Sequence, residues 1–160
     1  MQNNFAHSVF CKNLTDYPIS KEDAMQQSFR GVMCDCFNEI GDLVLNKIEE
    51  IRRKRKLAHS TLLSLRSKVY KKFLKMEEAA YVDGALKKKD KELIAVGIAV
   101  ATNCESCMEW HITAAVKSGA TFREVLEAIE VGIEFGGGRA TVSARFALEV
   151  MDHLSREMKR

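Results

Sequence analysis

Apolar residues recur along the first half of the chain at the spacing of α-helices. From Val32 to Leu57 they recur at intervals of four, four and three residues, and this pattern predicts one helix. A clearer stripe from Ser60 to Val82 predicts a second helix, which Gly84 is placed to end. The members of the two stripes are Ile40, Val44, Ile48 and Ile51, and then Leu62, Leu65, Val69, Phe73, Met76 and Ala80.

The middle of the chain carries a continuous apolar run. Nine consecutive apolar or glycine residues extend from Leu93 to Ala101. Asp90 as a candidate N-cap and Glu92 in the first turn favour a buried helix over a strand. Asn103 is the predicted cap of the next helix, which Gly119 is predicted to end.

Two more helices are predicted in the last third. Thr121–Glu124 forms a capping box, in which the threonine accepts from the amide three residues on and the glutamate reaches back. The glycines Gly136–Gly138 break this helix before a last helix from about Ala140 to Met158. The residues predicted to face the core are Phe122, Leu126, Ile129 and Ile133, and then Val142, Phe146, Val150 and Leu154.

Composition supports a globular, mostly helical protein. The 160 residues correspond to about one domain of 100–200 residues. Hydrophobic residues make up 46% and charged residues 29%, a balance that excludes a wholly disordered chain. Pro18 is the single proline, which suits long helices.

Charge and hydropathy indicate where in the cell the protein acts and which classes of partner it contacts. No apolar run approaches the 18–20 residues or so that span a bilayer, and residues 1–17 lack the regions of a signal peptide. We therefore expect a cytoplasmic protein that contacts no membrane. The net charge is only +3, and the basic run Arg52–Lys56 has no interleaved aromatic residues. We interpret this run as a solvated helix end and expect no nucleic-acid partner.

The segment from Asn103 to His111 carries the candidate chemistry. Cys104 and Cys107 are three residues apart and Cys107 and His111 are four apart, so on a helix the three side chains share one face. A Cys-x-x-Cys pair at a helix start can close a disulfide, and the helix N-terminus favours a thiolate there. The histidine can take the thiol proton or pair with the thiolate. Peroxide reduction requires an attacking thiolate, a resolving thiol and a proton donor, and this segment offers all three.

Other uses of a Cys-x-x-Cys pair fit less well. A metal site lacks a fourth ligand, because His7, His59 and His153 are remote in sequence and no second such pair exists. Haem attachment requires a histidine directly after Cys107, where the chain has Met108. A thioredoxin fold requires a cis-proline downstream of the pair, and no proline follows it. We therefore expect thiol redox chemistry without a metal or a cofactor.

The spacing of four residues resembles a known family. Glu92, then Cys104 twelve positions on, then Cys107 and His111, is similar to the pattern of the carboxymuconolactone decarboxylase / alkylhydroperoxidase D-like family. The flanks DGALKKKDKELIAVGIAVATNCESC, GAT-x-x-E and GGG agree, and the resemblance covers roughly Ser67–Leu154. It implies an all-α, alkylhydroperoxidase D-like helical bundle that assembles into homotrimers or homohexamers.

The resemblance also implies roles for these residues. In the family a glutamate and a histidine relay a proton, through water, to the active thiol. In this chain Glu92 and His111 would serve Cys107, with Cys104 as its disulfide partner. The implied reductant is a dithiol, either a lipoyl group on a protein or a thioredoxin-like protein. Proximity to the helix N-terminus favours Cys104 as the attacking thiol, whereas the contact with His111 and the resemblance favour Cys107, which we take as the nucleophile.

The chain departs from the family pattern at several places. Ser106 stands where well-studied hydroperoxidase members have a second histidine, and its hydroxyl cannot titrate near neutrality. Arg139 follows the glycine run where many relatives have proline. Residues 1–60 lie outside the pattern of small members, and we interpret them as a helical extension of the domain at 61–160. The remaining cysteines, interpreted as core or spectator residues, are Cys11, Cys34 and Cys36.

These observations predict a homo-oligomeric thiol oxidoreductase that reduces hydrogen peroxide or an organic hydroperoxide. One alternative is a cofactor-free decarboxylase of a carboxylated lactone, as the family name suggests. Members of that kind generally do not depend on a Cys-x-x-Cys pair, so its presence counts against this alternative. The other alternative is a non-catalytic interaction protein that uses residues 1–60 and the basic run.

Overall fold

The computed structural model describes residues 47–159, and helices are its regular structure, with no strand in that range. The predicted all-α fold is therefore confirmed for this part of the chain. Predictions about Cys11, Cys34, Cys36 and the start of the first helix lie outside it. No helix within it combines the length and the apolar character needed to cross a bilayer. The helices are α1 (47–64), α2 (Lys68–Ala80), α3 (Lys88–Ala101), α4 (Glu105–Lys117), α5 (Phe122–Gly136) and α6 (Gly138–Glu157).

The boundary between α1 and α2 lies later than predicted. We placed it between Leu57 and Ser60, but the helix continues to residue 64. Arg66 has φ 54°, and Ser67 caps α2 by accepting from the amide of Tyr70 at 3.1 Å. The prediction was wrong because the apolar stripe runs on across the turn, and periodicity alone does not locate a cap.

The first turn of α3 begins earlier than predicted, because Lys87, not Asp90, is its N-cap residue. The Asp90 carboxylate lies in the first turn and accepts from the Lys87 amide at 3.2 Å. Asp83 accepts from the amide of Lys88 at 2.8 Å, which fixes the helix start three residues before Asp90. Asp90 therefore satisfies a free amide from inside the helix, a role that sequence does not distinguish from an N-cap.

The start of α4 also differs by one residue. Cys104 is the N-cap, whereas the predicted cap Asn103 has φ 57°. Asparagine tolerates this left-handed conformation better than most residues. Its side-chain oxygen accepts from the hydroxyl of Ser143 on α6 at 2.8 Å, so it ties the turn before α4 to the last helix.

The α3 helix occupies the centre of the fold and packs against α4, α5 and α6. The α3–α5 crossing is close, because a Cβ added at Gly132 would lie 2.6 Å from the carbonyl oxygen of Gly97. Only glycine fits at Gly132 without a shift of backbone. The largest apolar side chains with essentially no exposure are Ile48, Val96, Val100, Met108, Ile112, Val125, Ile129 and Val150.

The last two helices largely follow the prediction. Thr121 accepts from the Glu124 amide at 3.2 Å and Glu124 accepts from the Thr121 amide at 2.7 Å, so the capping box is confirmed. Gly137, with φ 64°, separates α5 from α6. Val142 was wrongly predicted to face the core, since it is 56% exposed and its neighbour Ser143 is buried.

The stripe predicted on the second helix does not face the core of this chain. Its residues form part of an apolar surface that residues 47–159 leave uncovered. The exposed members are Leu62, Leu65, Val69, Phe73 and Met76.

Candidate active site

The N-terminus of α4 carries the two cysteines of the motif. Cys104 and Cys107 are joined by a disulfide. The amide of Cys107 also donates to the sulfur of Cys104 at 3.3 Å. Both cysteines are half-buried, and Cys107 packs against the core. The pair thus sits where the free amides of a helix start favour negative charge on sulfur once the disulfide is reduced.

Glu92 and His111 meet between α3 and α4. The Glu92 carboxylate is buried, and its Oε2 lies 2.8 Å from Nδ1 of His111. A carboxylate can only accept, so Nδ1 carries the proton and Nε2 is the ring atom that can exchange one. His111 follows Cys107 by one turn of α4. The structure therefore brings all four predicted site residues to one region of the fold.

Tyr81 is a neighbour of this pair that the sequence analysis missed. It follows the last turn of α2 and stacks on the ring of His111, with centroids 5.4 Å apart and 26° between the planes. Burial, and then the charges of Glu92 and Glu77, raise the pKa of Tyr81. The phenol therefore stays neutral at neutral pH and holds the imidazole from its face.

Glu92 lines a cavity of about 610 Å³, whereas His111, Cys104 and Cys107 are not among its lining residues. Tyr81 and Trp110 form part of its wall, with Leu74 and Val82 as apolar neighbours. Negative charge predominates in the lining, because four carboxylates are opposed by Lys88. These carboxylates belong to Glu77, Glu78, Asp83 and Glu92.

The basic run in α1 was only partly interpreted correctly. Arg53, Lys54 and Lys56 are exposed, as a solvated helix end would be. Arg52 and Arg55, in contrast, point toward α4 and bind its buried carboxylate Glu109. Arg52 Nε donates to Oε1 at 2.7 Å, and Arg55 Nη2 donates to Oε2. The i,i+3 spacing of the two arginines, on the side of Ile48, was the available signal.

Glu109 is ionised because of these arginines. Burial by itself would raise the pKa of Glu109, but hydrogen bonds from Arg52 and Arg55, and their charges, outweigh it and hold the pKa below its ordinary value. The buried carboxylate is thus fully paired, as burial of a charge requires.

One group of side chains in the described range has the composition of a metal site. Ligand atoms of Glu49, His153 and Glu157 lie within 4.8 Å of one another. Arg52 Nη1 already occupies their centre, at 3.0 Å from Glu49, 3.2 Å from Nε2 of His153 and 3.3 Å from Glu157. A guanidinium therefore supplies the positive charge there, and we propose no metal.

The region that carries Glu92, Cys104, Cys107 and His111 matches a known protein family. A sequence model described as the carboxymuconolactone decarboxylase family matches residues 67–150. The chain belongs to the carboxymuconolactone decarboxylase family. The match begins just before α2, so α1 of this family member precedes the shared region.

Relatives and solved structures agree with that membership. An uncharacterised protein encoded in the cox locus of Paracoccus denitrificans is 42% identical over 82 residues, which cover 51% of this chain and 74% of the relative. A carboxymuconolactone decarboxylase family protein of Legionella pneumophila, in its apo form, is similar with a TM-score of 0.65 and 34% identity, covering 68% of this chain and 97% of that one. A family protein of Thermotoga maritima has a TM-score of 0.62 and 26% identity, covering 69% and 92%. For the Thermotoga protein an involvement in the antioxidative response has been suggested.

Proposed function

We propose that this carboxymuconolactone decarboxylase family member is a thiol-dependent peroxidase. The observation that carries the proposal is the Cys104–Cys107 disulfide at the start of α4, one helical turn from a histidine whose Nδ1 is held by a buried carboxylate. Nucleophilic thiol chemistry requires such a pairing of thiol, base and orienting group. The antioxidative role suggested for the Thermotoga relative supports the proposed peroxidase function.

The oxidative half of the reaction begins with the reduced pair. The Cys107 thiolate attacks one peroxide oxygen, the O–O bond breaks, and sulfur takes that oxygen as a sulfenic acid. The leaving hydroxide or alkoxide takes a proton delivered from Nε2 of His111, directly or through a water molecule. Glu92 keeps Nδ1 protonated and stabilises the imidazolium that precedes this transfer.

The second step closes the disulfide. The Cys104 thiolate attacks the sulfur of the Cys107 sulfenic acid and expels hydroxide, which is protonated to water. The net result is the two-electron reduction of one hydroperoxide to water or alcohol, with oxidation of two thiols. Cys104 is within one turn of Cys107 on the same helix, so condensation needs no rearrangement of the fold.

A donor dithiol completes the cycle. Its thiolate attacks the disulfide, the S–S bond breaks, and its second thiol then displaces the chain from the mixed disulfide. The donor becomes a disulfide and the protein regains both thiols. We propose a lipoyl group on a protein or a thioredoxin-like protein as this donor.

The cavity beside Glu92 favours an uncharged substrate. Leu74, Val82 and Trp110 provide apolar contact for an organic hydroperoxide. Four carboxylates against one lysine would repel an anion, so the lining disfavours the carboxylated lactone of the alternative decarboxylase reaction.

We also propose that the protein works as a homo-oligomer, a trimer or a hexamer. The stripe on α2 leaves large apolar side chains in water, with Val69 81% exposed. Exposed apolar surface of this kind is typical of contacts between subunits. Sedimentation of the full chain, with a Val69→Asp variant beside it, would test this.

Peptide-resolved mass spectrometry after one equivalent of peroxide tests the peroxidase proposal. We expect the reduced Cys104–Cys107 peptide to lose two hydrogens at once and to regain them with dithiol. The Cys104→Ser variant should accumulate a sulfenic acid on Cys107 that a dimedone-type reagent traps. If both thiols stay reduced and alkylate at an ordinary rate, the proposal is wrong, and lactone decarboxylation should be tested.

A further inference from the structure

Arg55 reaches the cysteine motif from a helix that precedes the family region. Its Nη1 donates to the carbonyl oxygen of Ser106 at 3.1 Å and lies 3.4 Å from the Ser106 hydroxyl. Its Cζ lies 4.8 Å from the ring centre of Trp110, and its Nη2 donates to Glu109. Four contacts thus hold one guanidinium against the first turns of α4.

The carbonyl that Arg55 contacts belongs to the same peptide group as the Cys107 amide. The Ser106 carbonyl and the Cys107 amide are the two ends of a single planar peptide unit. That amide donates to the sulfur of Cys104 at 3.3 Å. A hydrogen bond to the carbonyl polarises the peptide unit and strengthens its N–H as a donor. The charge of Arg55 is therefore linked to the sulfur of Cys104 through one peptide group.

We propose that Arg55 is a positioning residue of the dithiol centre that stabilises the Cys104 thiolate through the Ser106–Cys107 peptide unit. The inference rests on the proposed redox function. It assigns Cys104 as the sulfur that leaves when the donor thiolate attacks Cys107, because the more stable thiolate leaves faster. The S–S bond breaks, Cys104 takes the electron pair, and the donor sulfur forms the mixed disulfide with Cys107.

The positive charge of Arg55 beside Ser106 is permanent, because a guanidinium stays protonated in proteins. The side chain at position 106 is a serine, and its hydroxyl carries no charge near neutrality. Arg55 brings a guanidinium to that same residue from outside the family region, which begins at residue 67. Arg52 also pairs with Glu49 and Glu157, so Arg55 is the cation of the Glu109 cluster that reaches the Ser106 carbonyl.

The test measures thiolate reactivity without peroxide. In a Cys107→Ser background, Cys104 is the motif's remaining thiol and the peptide N–H at position 107 is retained. We expect Arg55→Gln to slow alkylation of Cys104 by iodoacetamide at pH 7 by about threefold and to move its pH profile upward. Arg53→Gln, an exposed neighbour on α1, should leave the profile in place. Peptide-resolved detection separates Cys104 from the other cysteines.

Glu109→Gln separates charge from mere packing. This variant breaks the Arg55–Glu109 ion pair, as Arg55→Gln does, but it keeps the guanidinium. We expect alkylation of Cys104 to remain as fast as in the parent or to become faster, because a neutralising charge is gone. Equal slowing by Glu109→Gln and Arg55→Gln, with helicity retained, would mean that Arg55 only braces the fold and would overturn the proposal.

A second readout uses the intact cysteine pair. Arg55→Gln should also slow reduction of the disulfide by dihydrolipoamide by about threefold, whereas Arg55→Lys, which keeps a charge, should be slowed less. Unchanged rates in a folded Arg55→Gln protein would equally overturn the proposal. Failure of peroxide reduction would leave these thiol measurements intact, so the two proposals fail separately.

Discussion

Glu92 and His111 are 19 residues apart in the chain, and Oε2 of the first lies 2.8 Å from Nδ1 of the second. The contact joins the central helix α3 to the cysteine-bearing helix α4. Because Glu92 is buried, its charge acts on the imidazole with little screening by solvent. This pair is the part of the site on which the proposed proton transfer depends.

Glu92→Gln is expected to lower peroxidase kcat/KM by about 10- to 100-fold. The glutamine oxygen can still accept from Nδ1, so the ring stays in place, but the charge that stabilises the imidazolium is lost. Steady-state kinetics with an organic hydroperoxide measure the effect. Glu127→Gln, which removes an exposed carboxylate on α5, is the matched control and should leave the rate unchanged. Full activity in a folded Glu92→Gln protein would remove Glu92 from the mechanism.

The Glu109 cluster predicts how stability depends on pH. The folded state holds the pKa of Glu109 below its ordinary value of 4.5, as the buried carboxylate binds Arg52 and Arg55. The ionised Glu109 carboxylate therefore contributes fully to the free energy of unfolding above the unfolded pKa. This contribution is lost as pH falls below 4.5 through the folded pKa. Urea unfolding between pH 7 and pH 3 should show this loss, and Glu109→Gln should flatten it. An identical slope in both proteins would contradict the prediction.

Gly132→Ala is expected to destabilise the fold by about 2–3 kcal/mol. The new Cβ would lie 2.6 Å from the Gly97 oxygen and 2.9 Å from Cβ of Val100, so α3 and α5 must move apart. At Gly84 no atom lies within 4 Å of an added Cβ. Gly84→Ala should thus change the free energy of unfolding by less than about 0.5 kcal/mol. Denaturant unfolding of both variants checks the difference, and equal effects would exclude a tight crossing.

The capping box of α5 offers a test of local structure. Thr121→Ala removes the acceptor for the Glu124 amide and should cost about 1 kcal/mol of the free energy of unfolding. Thr141 has a hydroxyl that donates to a carbonyl inside α6, so Thr141→Ala should be close to neutral. Thermal unfolding of the two variants makes the comparison, and a smaller loss at Thr121 than at Thr141 would contradict the assignment of the cap.

Local patterns determined much of this fold. The capping box at Thr121 and the break at Gly137 were predicted correctly because both depend on residues a few positions apart. The same holds for Cys104, Cys107 and His111, whose separations place them together on any helix. The caps at Asp90 and Asn103 were wrong by up to three residues, because several adjacent side chains can satisfy the free amides of a helix start.

Long-range pairing was decided by the tertiary structure. Arg52 and Arg55 bind Glu109 at separations of 57 and 54 residues, and within the run Arg52–Lys56 nothing but their spacing distinguished them from their solvated neighbours. Val142 shares the periodicity of the core residues yet faces water, because the direction of a helix's apolar face depends on which helices pack against it. The sequence by itself determined the helices and the cysteine–histidine motif, since both depend on residues within one or two turns. Only tertiary packing decided which charges lie beside the cysteines, because that depends on how α1 lies against α4.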